Sequence, residues 1–218
     1  MEENNNRVFE AQAAEVKAET GEEKINDGKK NKSLGREILE WTEAIVLAVI
    51  VAMLVRGFIF TVVKVDGQSM DNTLANNDRL IVWRLGYEPK QGDIVVFAPD
   101  IAQNHNTHIF NRVYWIKRVI ATEGQHVEIN YDENAVYVDG VKLDEPYLPE
   151  PMRRPNSSSG NVIESIDIPE GHVFLMGDNR NHSNDCRNIG PVDVKDIVGK
   201  ASLRFWPFSS FGTVTHNN

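Results

Sequence analysis

His126-Val-Glu-Ile-Asn-Tyr-Asp-Glu-Asn-Ala-Val-Tyr-Val-Asp-Gly140 sets two short runs rich in β-branched residues, His126 to Asn130 and Ala135 to Val138, on either side of Tyr-Asp-Glu-Asn. That pattern predicts a β-hairpin followed at once by the Asp139-Gly140 turn signal. Runs of the same kind lie outward of it on both sides: Arg79 to Arg84 (RLIVWR), Asp93 to Phe97 (DIVVF), Tyr114 to Ala121 (YWIKRVIA) and His172 to Met176 (HVFLM). Gly92-Asp93 and Glu170-Gly171 punctuate them, and no helical pattern of about 10 to 15 residues alternates with the strands. The fold class expected is mainly β, an antiparallel sheet domain over residues 64–218. Residues 149–161 (PEPMRRPNSSSGN) read as an exposed polar loop, and there is no internal repeat.

Further upstream the character changes. Ala44 to Val55 reads AIVLAVIVAMLV without a break, and apolar residues continue past Arg56 as far as Val63. From Trp41 to Phe60 there are 20 positions, about 30 Å of helix, enough to cross a hydrocarbon core if Glu43 and Arg56 snorkel to the interfaces. Residues 37–63 are therefore expected to form one transmembrane helix. A cleavable signal peptide fits less well, because about forty residues precede the segment and no small-residue cleavage pattern follows it at once. Lys29, Lys30, Lys32 and Arg36 precede the span, against Arg56 and Lys64 after it. The positive-inside rule then puts the N-terminus in the cytoplasm and everything after residue 63 outside. Residues 1–33 are rich in Glu, Asn, Lys and Ala, so residues 1–36 are expected to be a disordered cytoplasmic tail.

Composition bounds the function. The 218 residues suit one globular domain with appendages, and 41% hydrophobic against 25% charged residues suffices for a core. The 23 basic and 32 acidic residues leave a net charge of -9, which would repel a phosphate backbone and argues against a nucleic-acid partner. One Cys allows no internal disulfide, and no Cys/His pairs stand at finger spacing, so neither a metal nor another cofactor is expected. The mean hydropathy of -0.38 suggests a soluble protein only because it averages the span away.

Three stretches carry chemistry. Val65-Asp-Gly-Gln-Ser-Met-Asp-Asn-Thr-Leu74 follows the span within ten residues. Trp115-Ile-Lys-Arg-Val-Ile120 is a strand pattern in which Lys117 and Arg118 must point to opposite faces. Met176-Gly-Asp-Asn-Arg-Asn-His-Ser-Asn-Asp-Cys-Arg187 is a dense polar run behind an apolar strand. Each alone reads as a turn, a solvated Lys or an Asx-rich loop.

In this order behind a single span, over residues 37–208, they resemble the type I signal peptidases, membrane-bound serine peptidases of exported proteins. The family's nucleophile motif Ser-Met-x-Pro-Thr-Leu matches Ser69 to Leu74 with Asn72 in place of Pro. Gly92 to Phe97 carries its Gly-Asp-Ile-Val-Val-Phe intact. Its base motif matches Lys117 to Ile120, with Ala121 for Gly and Gln125 for a common Asp, and Cys186 replaces a Ser. The resemblance implies Ser69 as nucleophile and Lys117 as general base, acting on signal peptides of secreted preproteins at the lipid bilayer. It also implies that Ser183 orients the Lys117 amine, that Arg118, Asp178, Asp185 and Arg187 form supporting ion pairs, and that Gly67 stands where some members carry a second oxyanion donor.

Physical chemistry sets conditions on that reading. A Lys can deprotonate a Ser only when neutral, so Lys117 needs its pKa brought down by about 2 units from the reference, which burial beside Trp115 and Ile116 would do. His105, His108, His126, His172, His182 and His216 offer bases for a competing Ser-His-Asp triad with Asp178 or Asp185, though none sits in a triad motif. Cys186 lacks a nearby basic motif and is expected as a small buried side chain. A non-enzymatic, chain-binding β-domain conflicts with the presence of both reactive residues, and a self-cleaving peptidase conflicts with the span. Arg204-Phe-Trp-Pro-Phe208 with Phe211 reads either as a last core strand or as an outer-leaflet contact.

Overall fold

The computed structural model describes residues 34–99, 113–154 and 162–214. Most of the expected tail, the end of the polar loop (155–161) and His105, His108 and His216 lie outside the described residues.

Helix α1 runs over Leu34–Leu54 and passes into a π-helical turn at Val55–Ile59. Gly35–Ile59 is long and apolar enough to cross a membrane. Thr42 returns its hydroxyl to the Ile38 carbonyl at 2.7 Å, so its polar atom is satisfied inside the helix. The expected span over residues 37–63 needs correction at its far end, because helical structure stops at Ile59 and Phe60–Lys64 is strand β1. The run Thr61-Val62-Val63 is apolar but β-branched, and a partner is available: β2 (Arg79–Trp83) pairs with it from Phe60↔Trp83 to Lys64↔Arg79. Arg84 caps the junction, its side chain donating to the Gly57 carbonyl at 2.9 Å and its amide to that of Ile59.

The remaining strands are β3 (Ile94–Phe97), β4 (Trp115–Thr122), β5 (His126–Asn130), β6 (Ala135–Val138), β7 (Val141–Lys142), β8 (Ser165–Asp167) and β9 (His172–Met176). A short helix α2 (Cys186–Ile189) and strands β10 (Val192–Asp193), β11 (Ile197–Trp206) and β12 (Gly212–Thr213) complete the chain. One sheet is ordered β1-β2-β11-β3-β4-β9-β10, with β12 added to β11; the other is β7-β6-β5-β8. All pairings are antiparallel, and the β5–β6 hairpin forms with Val127 opposite Val138.

Strand β3 shows how the core places the site. All four residues are buried, and alternation sends Val95 and Phe97 into a cluster with Val127, Val136 and Phe174. Ile94 and Val96 face a second cluster with Leu80, Val82, Met70 and Leu74. Met70 and Leu74, each 2% exposed, belong to the turn that carries Ser69. Burying two such side chains contributes about 1.5–3 kcal/mol each, so the Ser69 turn is anchored by the core itself.

Candidate active site

Ser69 and Lys117 are 48 residues apart in sequence and meet in space. Lys117 Nζ donates to Ser69 Oγ at 2.8 Å and to its neighbour's carbonyl, Ile116 O, at 3.1 Å. Lys117 is 4% exposed, and the Trp115 ring lies 5.6 Å from its amine. Burial brings its pKa down from 10.5 to about 8, against the opposing pull of the Asp185 and Asp178 carboxylates. The burial expected of Lys117 is present, with Trp115 beside the amine, whereas Ile116 meets it through its carbonyl.

Arg118 leaves β4 on the other side. Its Nε and Nη2 reach the two oxygens of Asp178 at 2.8 and 2.6 Å, and Nη1 reaches Gly92 O at 2.9 Å. Asp178 also accepts from Thr73 Oγ1 at 2.5 Å, so one fully buried carboxylate ties strand β4 to the Ser69 turn. Asp185 accepts from Arg187 Nε at 2.8 Å and from the Gly177 amide at 3.1 Å. Burial alone would raise the Asp185 carboxyl, but the Arg187 guanidinium and the Gly177 amide outweigh it and hold the group below the usual carboxylate range. Both expected ion pairs therefore form, and both brace loops.

Ser183 differs from expectation. Neither hydrogen bond of Lys117 goes to it. Its buried hydroxyl lies against Gly177 and near enough to Asp185 to help hold that carboxyl low, without well-formed hydrogen-bond geometry. The Lys amine is oriented by Ile116 O, a partner one residue away that fixes it more directly. Gly67 has φ +105° and its amide donates to Asn76 Oδ1 at 3.2 Å, so residue 67 offers no hydroxyl and no free N–H.

Asn72 explains its own departure from the resembled motif. It sits at φ +82° and donates Nδ2 to Tyr147 O at 3.0 Å. Asn tolerates that left-handed geometry; Pro, locked near about −65°, cannot adopt it. Asn72→Pro is therefore expected to lower unfolding stability by at least about 2 kcal/mol in denaturant titration. An unchanged midpoint would mean that the turn re-forms around the ring.

Several partners had no signal in the sequence. Tyr147 stacks on the Arg118 guanidinium at 3.9 Å and bonds Glu145, which forms a buried ion pair with Arg180. Asn179 donates its amide to Ser69 O at 3.0 Å and its Nδ2 to Gln68 O at 3.2 Å. Thr73, Asn179 and Arg180 at least lie inside the motifs quoted above; Glu145 and Tyr147 lie in no pattern.

A cavity of about 260 Å³ opens over the pair, lined by Asp66, Ser69, Tyr114, Ile116, Lys117 and His182 among others. Two strand edges that are open among the described residues flank it: there β1 pairs only with β2, and Trp115 to Lys117 pair only with β3. Among the described residues no histidine is bonded to Ser69. His126 does join Asp167 at 2.7 Å and Ser165 at 3.2 Å, but on an open surface where the Asp167 side chain is 92% exposed. Cys186 is fully buried with its thiol pushed up by burial, hence protonated and inert. Trp206, Phe208 and Phe211 are 44, 73 and 61% exposed, so β11 ends at the surface and these rings do not close the core.

The signal peptidase, peptidase S26 family model matches residues 38–206. Signal peptidase I of Bacillus licheniformis is 36% identical over 187 residues, 83% of this chain and 95% of that protein. Signal peptidase IB of Staphylococcus aureus (strain COL) is 36% identical over 194 residues, 81% of this chain and 93% of that protein. A solved signal peptidase I from Enterococcus faecalis V583 overlays 52% of this chain and 97% of its own at 27% identity and a TM-score of 0.38, too loosely to bear on the fold. With the family's pattern spanning strand, turn and polar loop alike, the chain is a hydrolase belonging to the S26 signal peptidase family.

Proposed function

We propose that the protein removes signal peptides from exported preproteins, with Ser69 as nucleophile and Lys117 as general base. The observation that carries this is the 2.8 Å bond between Ser69 and a lysine whose pKa burial brings down to about 8, within reach of the neutral form. A substrate chain in extended form can lie between the two open strand edges and bring its scissile carbonyl to Ser69. Neutral Lys117 takes the Ser69 proton as Oγ attacks; the tetrahedral intermediate collapses, and Lys117-NH₃⁺ returns the proton to the departing amine. Water, deprotonated by the same amine, then frees the acyl enzyme.

Small residues before the scissile bond, the Ala-x-Ala type, follow from family membership. The basic flank before the span supports a cytoplasmic N-terminus and a catalytic domain on the outer face of the cell membrane. Exposed Trp206, Phe208 and Phe211 suit contact with that surface.

The pH profile tests the base. Because the neutral amine is the active form, kcat/KM on a signal-peptide substrate should rise with pH through about 8, the value to which burial brings Lys117. A rise centred near about 6.5 would instead indicate a histidine and overturn the pairing.

A further inference from the structure

We propose that Asn179 is a positioning residue of the oxyanion hole, aiming the Ser69 N–H by holding the two carbonyls that flank it. The proposal rests on the reading of Ser69 as nucleophile. In that reading the negative oxygen of the tetrahedral intermediate needs a donor, and the Ser69 N–H is the group beside it. No described residue accepts from that N–H, and Ser69 lines the open cavity. The second donor that some members carry is absent, since residue 67 is Gly and its own amide is committed to Asn76. The direction of one N–H therefore matters more here than in a hole with two donors.

That direction is set by peptide geometry. In the planar trans peptide between Gln68 and Ser69, the N–H points opposite the Gln68 carbonyl. The Gln68 carbonyl accepts twice, from the Asp71 amide at 3.0 Å and from Asn179 Nδ2 at 3.2 Å. The next carbonyl, Ser69 O, accepts from the Asn179 amide at 3.0 Å. One residue thus pins both peptide planes around the nucleophile, and two donors on Gln68 O also polarise the Ser69 N–H toward a stronger bond.

The carboxamide has no freedom to turn over. A backbone carbonyl only accepts, so the atom facing Gln68 O is Nδ2, and Oδ1 then faces His182 Nδ1 at 3.1 Å, which must donate. Asn179 is 7% exposed, and the residue before it is the buried Asp178 that holds Thr73 and Arg118. His182 in turn lines the cavity. Asn179 itself makes no bond to the Lys117 amine, so the effect should fall on the oxyanion and leave the pKa of the base alone.

The test uses the full-length protein carrying Asn179→Leu, close in shape but without the donor, with Asn179→Ala as the second variant should the Leu variant not fold. On a signal-peptide substrate kcat is expected to fall about 10- to 100-fold, with KM and the pH at which activity rises both kept. A peptide aldehyde gives the specific readout: Ser69 Oγ adds to its carbonyl carbon, and the former carbonyl oxygen enters the hole. Its affinity should fall in step with kcat, while an uncleavable peptide of the same sequence binds as before. An unchanged kcat overturns the proposal. So does a kcat loss accompanied by a displaced pH profile and an unaltered aldehyde affinity, which would assign Asn179 to Lys117 or to folding. Ser69→Ala is assayed beside them; if it retained cleavage, the nucleophile reading itself would fall, whatever Asn179 does.

Discussion

Full-length protein carrying Lys117→Met is expected to lose cleavage of a signal-peptide substrate by about 10³-fold or more and yet to resist unfolding better than the wild type at pH 7. Both effects come from one burial. With a folded pKa of about 8 against 10.5, Lys117 binds its proton more weakly in the native state than in the unfolded chain. Between those two values the unfolded chain carries the extra proton, so stability rises with pH across the window. Below pH 8 the penalty is fully present, at about 3 kcal/mol from the size of the shift. Methionine of similar length fills the space beside Trp115 and Ile116 without that penalty; losing the bonds to Ser69 and Ile116 returns about 1 kcal/mol, which leaves a net gain. The gain should shrink as pH approaches about 10.5. Ser69→Ala should match the loss of activity with little change in stability, and the double variant should be no slower than either single one, because the two residues act as a unit. Paired cleavage assays and denaturant titrations at pH 7 and pH 10 read all of this; a Met variant that was both inactive and less stable at pH 7 would show that the lysine is not desolvated.

The sequence discloses Ser69 and Lys117 but not what holds them together, and the reason is range. Ser69, Lys117 and the Asp178 to Arg187 run announce themselves through compact motifs of a few residues. Asn72 reaches Tyr147 across 75 positions and Arg180 reaches Glu145 across 35, and no local pattern records such contacts. The strands divide in the same way. The β5–β6 hairpin was legible because its turn and both partners lie within fifteen residues. Strand β1 was hidden because Phe60 to Val63 is as apolar as the span before it, and only β2, a partner fifteen residues further on, makes it a strand. Strand β11 sits between β2 and β3 yet reads IVGKASLRFW, with Lys200 and Arg204 interrupting the apolar run. Those cations are paired across the sheet: Lys200 bonds Asp93 at 2.6 Å and Arg204 bonds Asp78 at 3.1 Å, and both acidic partners are distant in sequence. Ser183 is the reverse case: it lies inside a compact motif, yet its hydroxyl makes no bond to Lys117.

Gly177→Ala should be nearly as damaging as loss of the dyad, by about 10²-fold or more in kcat/KM, although residue 177 has no side chain and takes no part in the chemistry. A methyl group there would sit 2.3 Å from Ser183 Oγ, 2.6 Å from Ser183 Cβ and 2.5 Å from Ser69 O. The serine side chain of residue 183 could rotate or shift. The Ser69 carbonyl cannot move alone: it belongs to the backbone that carries Ser69 Oγ and accepts from the Asn179 amide, so displacing it carries Ser69 Oγ away from Lys117. Overpacking of this kind costs about 1–3 kcal/mol in stability, so the variant should still fold. The double variant Gly177→Ala/Ser183→Gly separates the two collisions. It removes both contacts with residue 183 and leaves the one with the Ser69 carbonyl, so it should recover stability while activity stays low. Full recovery of cleavage in the double variant would locate the damage at Ser183 and sink the claim that Gly177 is required by the close approach of the Ser69 backbone.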